Sequence, residues 1–217
     1  MRLLTWLLDL LYPPKCPFCA RVLEKGEEGW CALCPGELPW TGAEDGKRVP
    51  GCDVCLSPLW YRDTVREAMH RYKFGGGQGH ARLFGQLMAQ CLRDRWDGPV
   101  DLITWVPLHP RRRRDRGYDQ AELLARRVGE LSGLPVESTL EKVRGAAAQS
   151  RLGEDLAARQ ANVRGAYRAL GGLDLRGRRV VLIDDVTTSG ATLSECAAAL
   201  RRAGAEAVVG LTFARAR

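Results

Sequence analysis

The stretch Val180-Val-Leu-Ile-Asp-Asp-Val-Thr-Thr-Ser-Gly-Ala-Thr192 runs from an apolar segment through two adjacent acids into a hydroxyl-rich turn with one glycine. The apolar segment has the pattern of a buried strand, which carries Asp184 and Asp185 to its C-terminal edge. Thr187, Thr188, Ser189, Gly190, Ala191 and Thr192 then open a helix. Backbone N–H groups at a helix start, hydroxyl donors and the helix dipole together ring a phosphate. Carboxylates repel phosphate, so the acids need another target, and ribose hydroxyls or a divalent cation satisfy them. Phosphate at one end with a hydroxyl- or magnesium-seeking pair beside it describes a ribose 5-phosphate. The competing reading is a capped helix after a strand with two solvated acids. A nucleoside-triphosphate loop is excluded, because the Gly-Lys-Ser/Thr it requires is missing.

Outward from this stretch, strands alternate with helices. Val65, Ala68, Met69 and Tyr72 recur at helical spacing until Gly75-Gly-Gly77, and a second amphipathic stretch runs from about His80 to Arg95. Val100 to Val106 is a buried-strand pattern stopped by Pro107, and a helix follows from about Tyr118 to Ser132 with Gly133 in the stop position. Val136 to Leu140, Arg179 to Ile183 and Ala207 to Thr212 complete the strands, with a helix from Ala191 to Ala203. The fold class expected is therefore α/β, a mostly parallel sheet flanked by helices. In such sheets ligands bind where strand C-termini hand over to loops. Arg111 to Arg114 and Arg116 occupy a second loop of that kind, after the Val100 strand. Guanidinium forks match phosphate oxygens and keep their charge, although a solvated basic loop or contact with a DNA backbone would read the same way.

The chain has 217 residues and 45% hydrophobic content, enough for one core of roughly 150 residues and a smaller appendage. Residues 1–60 carry 6 Lys+Arg against 8 Asp+Glu, and residues 61–217 carry 27 against 18, a balance of +9. The basic excess suits a polyanionic ligand, and solubility alone accounts for it equally well. The expected division is residues 1–60, an N-terminal helix and cysteine-rich module, and residues 61–217, the α/β domain. Met1 to Tyr12 is Leu-rich, but Asp9 interrupts it and no small-residue cleavage site follows, so a short packing helix is expected rather than a signal peptide. It is also shorter than the ~20 residues a membrane span needs, and a cytoplasmic location is expected.

Six of the eight cysteines form Cys-x-x-Cys pairs, at Cys16/Cys19, Cys31/Cys34 and Cys52/Cys55, while Cys91 and Cys196 read as small buried hydrophobes. In a reducing compartment such pairs are metal ligands before they are disulfides. Eleven residues with Gly26 and Gly29 separate the first two pairs, a length that fits a hairpin bringing two knuckles together. Cys16, Cys19, Cys31 and Cys34 are thus expected to close one structural zinc site. Cys52/Cys55 supplies half a site: it could cap the same ion, close a site with another molecule, or be a vestige.

The 180–192 segment resembles the motif by which type I phosphoribosyltransferases bind 5-phosphoribosyl-1-pyrophosphate (PRPP). Over nearly its whole length the chain resembles the ComF family, competence-associated proteins with an N-terminal cysteine module and a phosphoribosyltransferase-like domain. The resemblance rests on the cysteines, on Tyr72-Lys-Phe-Gly75, Val106-Pro-Leu-His-Pro-Arg-Arg112 and Arg116-Gly-Tyr-Asp-Gln-Ala121, and on Arg144, Gln149, Arg159 and Asn162. The chain departs from the family at Tyr118-Asp119, often Phe-Asn, at Thr188-Ser189-Gly190, often Thr-Thr-Gly, and in lacking a fourth cysteine pair.

The resemblance implies PRPP and magnesium as ligands, with pyrophosphate displaced from C1 by a nitrogen nucleophile through an oxocarbenium-like state. Asp184 and Asp185 would hold ribose hydroxyls or magnesium, residues 187–192 the 5-phosphate, and Arg112 and Arg116 the pyrophosphate. Ala146 to Gly153 would be the loop that closes over the site. Single-stranded DNA and proteins of the competence machinery are the further partners implied. A second reading, from another class, is a protein that handles single-stranded DNA without turnover, using the same fold to hold phosphate.

Overall fold

The computed structural model describes residues 13–42, 44, 46–75, 77–143 and 163–217. The Met1 to Tyr12 run and the Ala146 to Gly153 stretch, with Arg144, Gln149, Arg159 and Asn162, lie outside the described residues. Five parallel strands form the main sheet: β1 (Val54–Leu56), β2 (Leu59–Trp60), β3 (Leu102–Trp105), β6 (Arg179–Thr187) and β7 (Ala207–Arg215). Their spatial order is β1 and β2, then β7, β6 and β3. An antiparallel ribbon of β4 (Leu140–Lys142) and β5 (Tyr167–Ala169) stands apart.

Alternate residues of the central strands feed two separate halves of the core, as the period of two in a strand requires. Ile103, Trp105, Val181, Ile183, Val209 and Leu211 pack with α2 (Asp63–Phe74), α3 (Ala81–Arg95) and α5 (Gln120–Ser132). Leu102, Val180, Leu182 and Val208 pack with α6 (Ala191–Arg202) and with Leu140 and Tyr167 of the ribbon. Burial on both faces is why β6 and β3 read as unbroken apolar runs.

Three departures from the sequence reading have local causes. The strand expected at Val136 to Leu140 is reduced to one parallel bridge, Val136 to Ile103. Beyond it Thr139 meets Thr104 through a buried hydroxyl contact of 2.6 Å, and Leu140 leaves the sheet for the ribbon. The arginine loop is helical: α4 (Pro110–Arg116) has proline at its start, His109 Nδ1 accepting the Arg111 N–H, and Gly117 ending it at φ 78°. Finally, Val54–Leu56 and Leu59–Trp60 are strands of the main sheet, paired with β7.

The cysteine-rich segment is joined to the sheet by aromatic packing. Phe18 is fully buried, 5.9 Å from the Phe84 ring and 6.4 Å from the Phe213 ring, and Phe84 stacks on Phe213 at 4.0 Å. The Arg71 guanidinium of α2 donates to the carbonyls of Pro17 (2.9 Å) and Phe18 (2.7 Å). Around the short helix α1 (Cys34–Glu37) the same segment is held by Arg95, which donates to the Thr41 carbonyl at 2.6 Å. No helix of the described residues is long and apolar enough to cross a membrane.

Candidate functional site

The last β3–β6 pair is Trp105 with Ile183, and the Val106 N–H closes that edge on the Ile183 carbonyl at 2.9 Å. From Asp184 onward β6 continues beside β7 alone, so its outer flank opens where the two acids emerge. Asp184 Oδ1 accepts the Asp185 N–H at 2.8 Å. Burial, and then the neighbouring Asp185 charge, push the Asp184 carboxyl up to about 8. Asp185 is paired instead: Lys73 Nζ at the end of α2 lies 3.0 Å from Asp185 Oδ1, with the two side chains 23% and 15% exposed. Burial works against the Lys73 charge, but Asp185 and Asp184 outweigh it and raise its pKa.

Beyond the acids comes the hydroxyl-rich turn. Gly190 holds φ 82°, and a Cβ built on it would lie 3.1 Å from Val49 Cγ2, so both backbone conformation and space call for glycine. No side chain caps α6; Ser189 Oγ reaches only the Ala191 N–H, at 3.3 Å. Thr187 is 3% exposed and its Oγ1 is buried without a hydrogen-bond partner among the described residues. An unsatisfied buried hydroxyl costs about 1–3 kcal/mol, so one at the mouth of an uncapped helix marks a place for an acceptor group. A cavity of 40 Å³ lined by Asp184 and residues 186–193 opens there. Lys47 Nζ donates to the Thr188 carbonyl and adds a positive charge beside the turn, a contribution the sequence reading missed.

Two of the quoted sequence motifs pack into one unit that aims Lys73. The Tyr118 hydroxyl donates to the Tyr72 carbonyl, and the Tyr72 hydroxyl donates to the Gln120 carbonyl at 2.9 Å. Asp119, where the family often has Asn, is buried and serves as an acceptor. Its Oδ1 takes the N–H groups of Ala121 (3.1 Å) and Glu122 (3.3 Å), capping α5, and its Oδ2 takes that of Leu108 (2.8 Å), fixing the turn before α4. Asn would keep the α5 cap but set an NH2 donor against the Leu108 N–H, so the acid is the residue that accepts on both sides.

The two arginines expected at the site have different surroundings. The Arg116 guanidinium lies 4.8 Å over the Phe74 ring and donates to Gln120 Oε1 at 2.8 Å. Arg112 is exposed on α4. Its charge reaches Lys142, whose pKa is lowered by burial and then by Arg112 while Asp184 pulls the other way. Lys142 donates to the Tyr167 hydroxyl at 2.8 Å and lies 4.7 Å from that ring. Lys73, Lys142 and Tyr167 were not singled out from sequence as site residues. For Lys73 the available signal was the motif Tyr72-Lys-Phe-Gly75; the β4–β5 residues had none.

In the cysteine-rich segment the sulfur atoms of Cys16 and Cys34 are 3.7 Å apart, as are those of Cys19 and Cys31, and all four lie within 4.8 Å of one another. A tetrahedron with Zn–S bonds of about 2.3 Å has an edge of about 3.8 Å, so the thiolate set fits a structural zinc. Each knuckle is braced by its own bonds. Cys16 N–H donates to the Arg21 carbonyl (2.8 Å), and Glu27, paired with Arg21 at 2.6 Å, accepts the Ala32 N–H at 2.8 Å. Cys52 and Cys55 stand outside this set. Their sulfurs lie against Gly210 of β7, and burial pushes both thiols up to about 12.

A model of the phosphoribosyl transferase domain matches residues 115–216, and a model of the double zinc ribbon domain matches residues 7–69. The DNA utilization protein YhgH of Salmonella typhi is 30% identical over 221 residues, covering 92% of this chain and 96% of its own length. Competence protein F of Haemophilus influenzae is 28% identical over 197 residues, covering 86% and 85%. Competence protein ComFC of Streptococcus pneumoniae is 28% identical over 160 residues, covering 71% and 65%.

Proposed function

Since the chain belongs to the ComF family, with a type I phosphoribosyltransferase domain and a four-cysteine zinc ribbon, we propose that it binds PRPP with magnesium at the end of β6 and transfers the phosphoribosyl group to a nitrogen nucleophile. The observation that carries this reading is the buried, unpartnered Thr187 hydroxyl at the mouth of the uncapped α6, beside Asp184 and Asp185. A ribose 5-phosphate supplies what each group lacks. Its phosphate takes the Thr187 hydroxyl and N–H groups and hydroxyls of residues 188–192, with the α6 dipole in its favour. Its 2- and 3-hydroxyls donate to the acids.

Arg112 and Lys142 stand on the pyrophosphate side, where fixed positive charge stabilises a leaving group. Asp184 and Asp185 are the residues that would hold a divalent cation, which supplies further charge neutralisation to the departing pyrophosphate. The carboxylates also stabilise positive charge developing at C1 as the bond to pyrophosphate breaks.

Calorimetry with PRPP and magnesium tests the ligand, and pyrophosphate release with candidate bases and amines tests the reaction. Asp184→Asn together with Asp185→Asn is expected to weaken magnesium-dependent binding by at least about 100-fold, two half-buried charged contacts at about 1.5–3 kcal/mol each. Unchanged affinity in that variant, with intact melting, would remove the acids from the site.

Exposed Arg111, Arg112 and Arg114, whose guanidinium groups make no hydrogen bond or ion pair among the described residues, favour a second reading, weak binding of single-stranded DNA without turnover. PRPP should compete with such DNA, since both anions would use Arg112.

A further inference from the structure

We propose that Lys73 is a resident cation on the metal-binding face of Asp185, which keeps a bare divalent ion out and is handed to the phosphates of the incoming ligand when ion and ligand arrive together. The inference rests on the reading of Asp184 and Asp185 as ligand-binding acids, and it concerns a residue to which that reading assigns no role.

Placement of the ammonium is built in from both sides. Lys73 lies in the last turn of α2, directly after Tyr72. Tyr72 is anchored through its hydroxyl to the Gln120 carbonyl at 2.9 Å and through its own carbonyl by Tyr118. The Lys73 stem is thereby fixed at its root while its head reaches Asp185 Oδ1 at 3.0 Å across the opening beside β6. Only 23% of the Lys73 side chain and 15% of the Asp185 side chain are exposed, so the pair is poorly screened by solvent.

Charge then dictates an order. The Lys73 ammonium and the Asp185 carboxylate already neutralise each other. A divalent ion arriving alone at Asp185 would meet the ammonium on the same carboxylate, and at the low effective dielectric of a half-buried site this repulsion is severe. A pyrophosphate-bearing ligand removes the conflict. Its oxyanions accompany the ion and also give the displaced ammonium a partner within reach of the long, flexible lysine stem. A purely structural tether between α2 and β6 predicts the reverse on one point: removing it would loosen the site and would not improve metal binding.

The experiment is a titration of the full-length, zinc-loaded protein with Mn(II) followed by electron paramagnetic resonance, with and without inorganic pyrophosphate. Wild type should bind Mn(II) alone weakly and bind it at least tenfold more tightly when pyrophosphate is present. Lys73→Met should bind Mn(II) alone about tenfold or more tightly than wild type, by loss of the repelling charge, and should show a smaller gain from pyrophosphate. Lys73→Arg should behave as wild type, and Lys73→Gln serves in place of Lys73→Met if the latter melts early. Equal Mn(II) affinity in wild type and the neutral variants overturns the proposal. So does a wild type that binds Mn(II) equally well with and without pyrophosphate. If PRPP fails to bind while the neutral variants still gain Mn(II) affinity, the role of Lys73 stands and the acids serve a different phosphorylated ligand.

Discussion

Around the knuckles the acid beside the metal set is paired and hydrogen-bonded, whereas the end of β6 concentrates groups held at a disadvantage. Glu27 accepts Ala32 N–H and pairs with Arg21, and four sulfurs stand at tetrahedral spacing. At β6, by contrast, Thr187 Oγ1 has no partner among the described residues and half-buried Asp184 stands beside a second carboxylate. The first region is complete with one ion and serves the fold. The second stores unfavourable free energy that a ligand would relieve, the pattern of a binding site.

Removing the metal should break the better-satisfied region most severely. One zinc per chain is expected by elemental analysis, and Cys16→Ser or Cys31→Ser should release it. Because structural zinc contributes on the order of 10 kcal/mol of folding free energy to small ribbons, these variants should lose the cooperative melting of the residues around Phe18. Cys52→Ser and Cys55→Ser should keep the zinc. Its release from either would reassign the ligands.

At the β6 end the opposite sign is expected. The Asp184 carboxyl titrates near 8 in the fold, against about 3.9 in an unfolded chain. Folded protein therefore holds a proton that the unfolded chain has lost, and the contribution of this group to stability declines as pH rises from about 4 to about 8. Asp184→Asn should melt higher than wild type, with a margin that grows over this window and levels off above it. For a chain of this size each kcal/mol recovered raises the melting temperature by about 2–4 °C. A variant that melts lower than wild type at pH 9 would show that the acid serves the fold after all.

A smaller effect is expected at Asp119, whose bonds cap α5 and hold the turn before α4. Asp119→Asn keeps the α5 cap but loses the acceptor for the Leu108 N–H and should cost about 1 kcal/mol, while Asp119→Ala loses both and should cost about 2 kcal/mol or more by denaturant melting. Equal loss in both variants would mean that the charge matters beyond the cap.

How much of this was legible in sequence followed the range of the interactions. The Val180 strand, its acids and the turn to Thr192 are contiguous, and the two knuckles lie eleven residues apart, so their chemistry could be read directly. Strands β1 and β2 could not, being three and two residues long and joined to the main sheet by pairing with β7 at distant sequence positions. Cys55 compounds the difficulty, because a residue that reads as a ligand is a fully buried strand residue. The Lys73–Asp185 pair and the Lys142–Tyr167 contact likewise join distant segments with no periodic signature. The arginines of α4 were legible as charge, but their helical form depends on Pro110, His109 and Gly117, which read equally well as a loop.

The account stands most directly on Thr187, whose substitution by the isosteric valine removes a hydroxyl and little else. Isothermal calorimetry of PRPP with magnesium, on wild type and Thr187→Val side by side with their melting curves, is the deciding measurement. Wild type should bind only when magnesium is present. Thr187→Val should bind about tenfold more weakly, one hydrogen bond to a charged group, while melting at the same temperature or higher because a buried unsatisfied hydroxyl is gone. Failure of wild type to bind PRPP, or unchanged affinity in Thr187→Val, would contradict it.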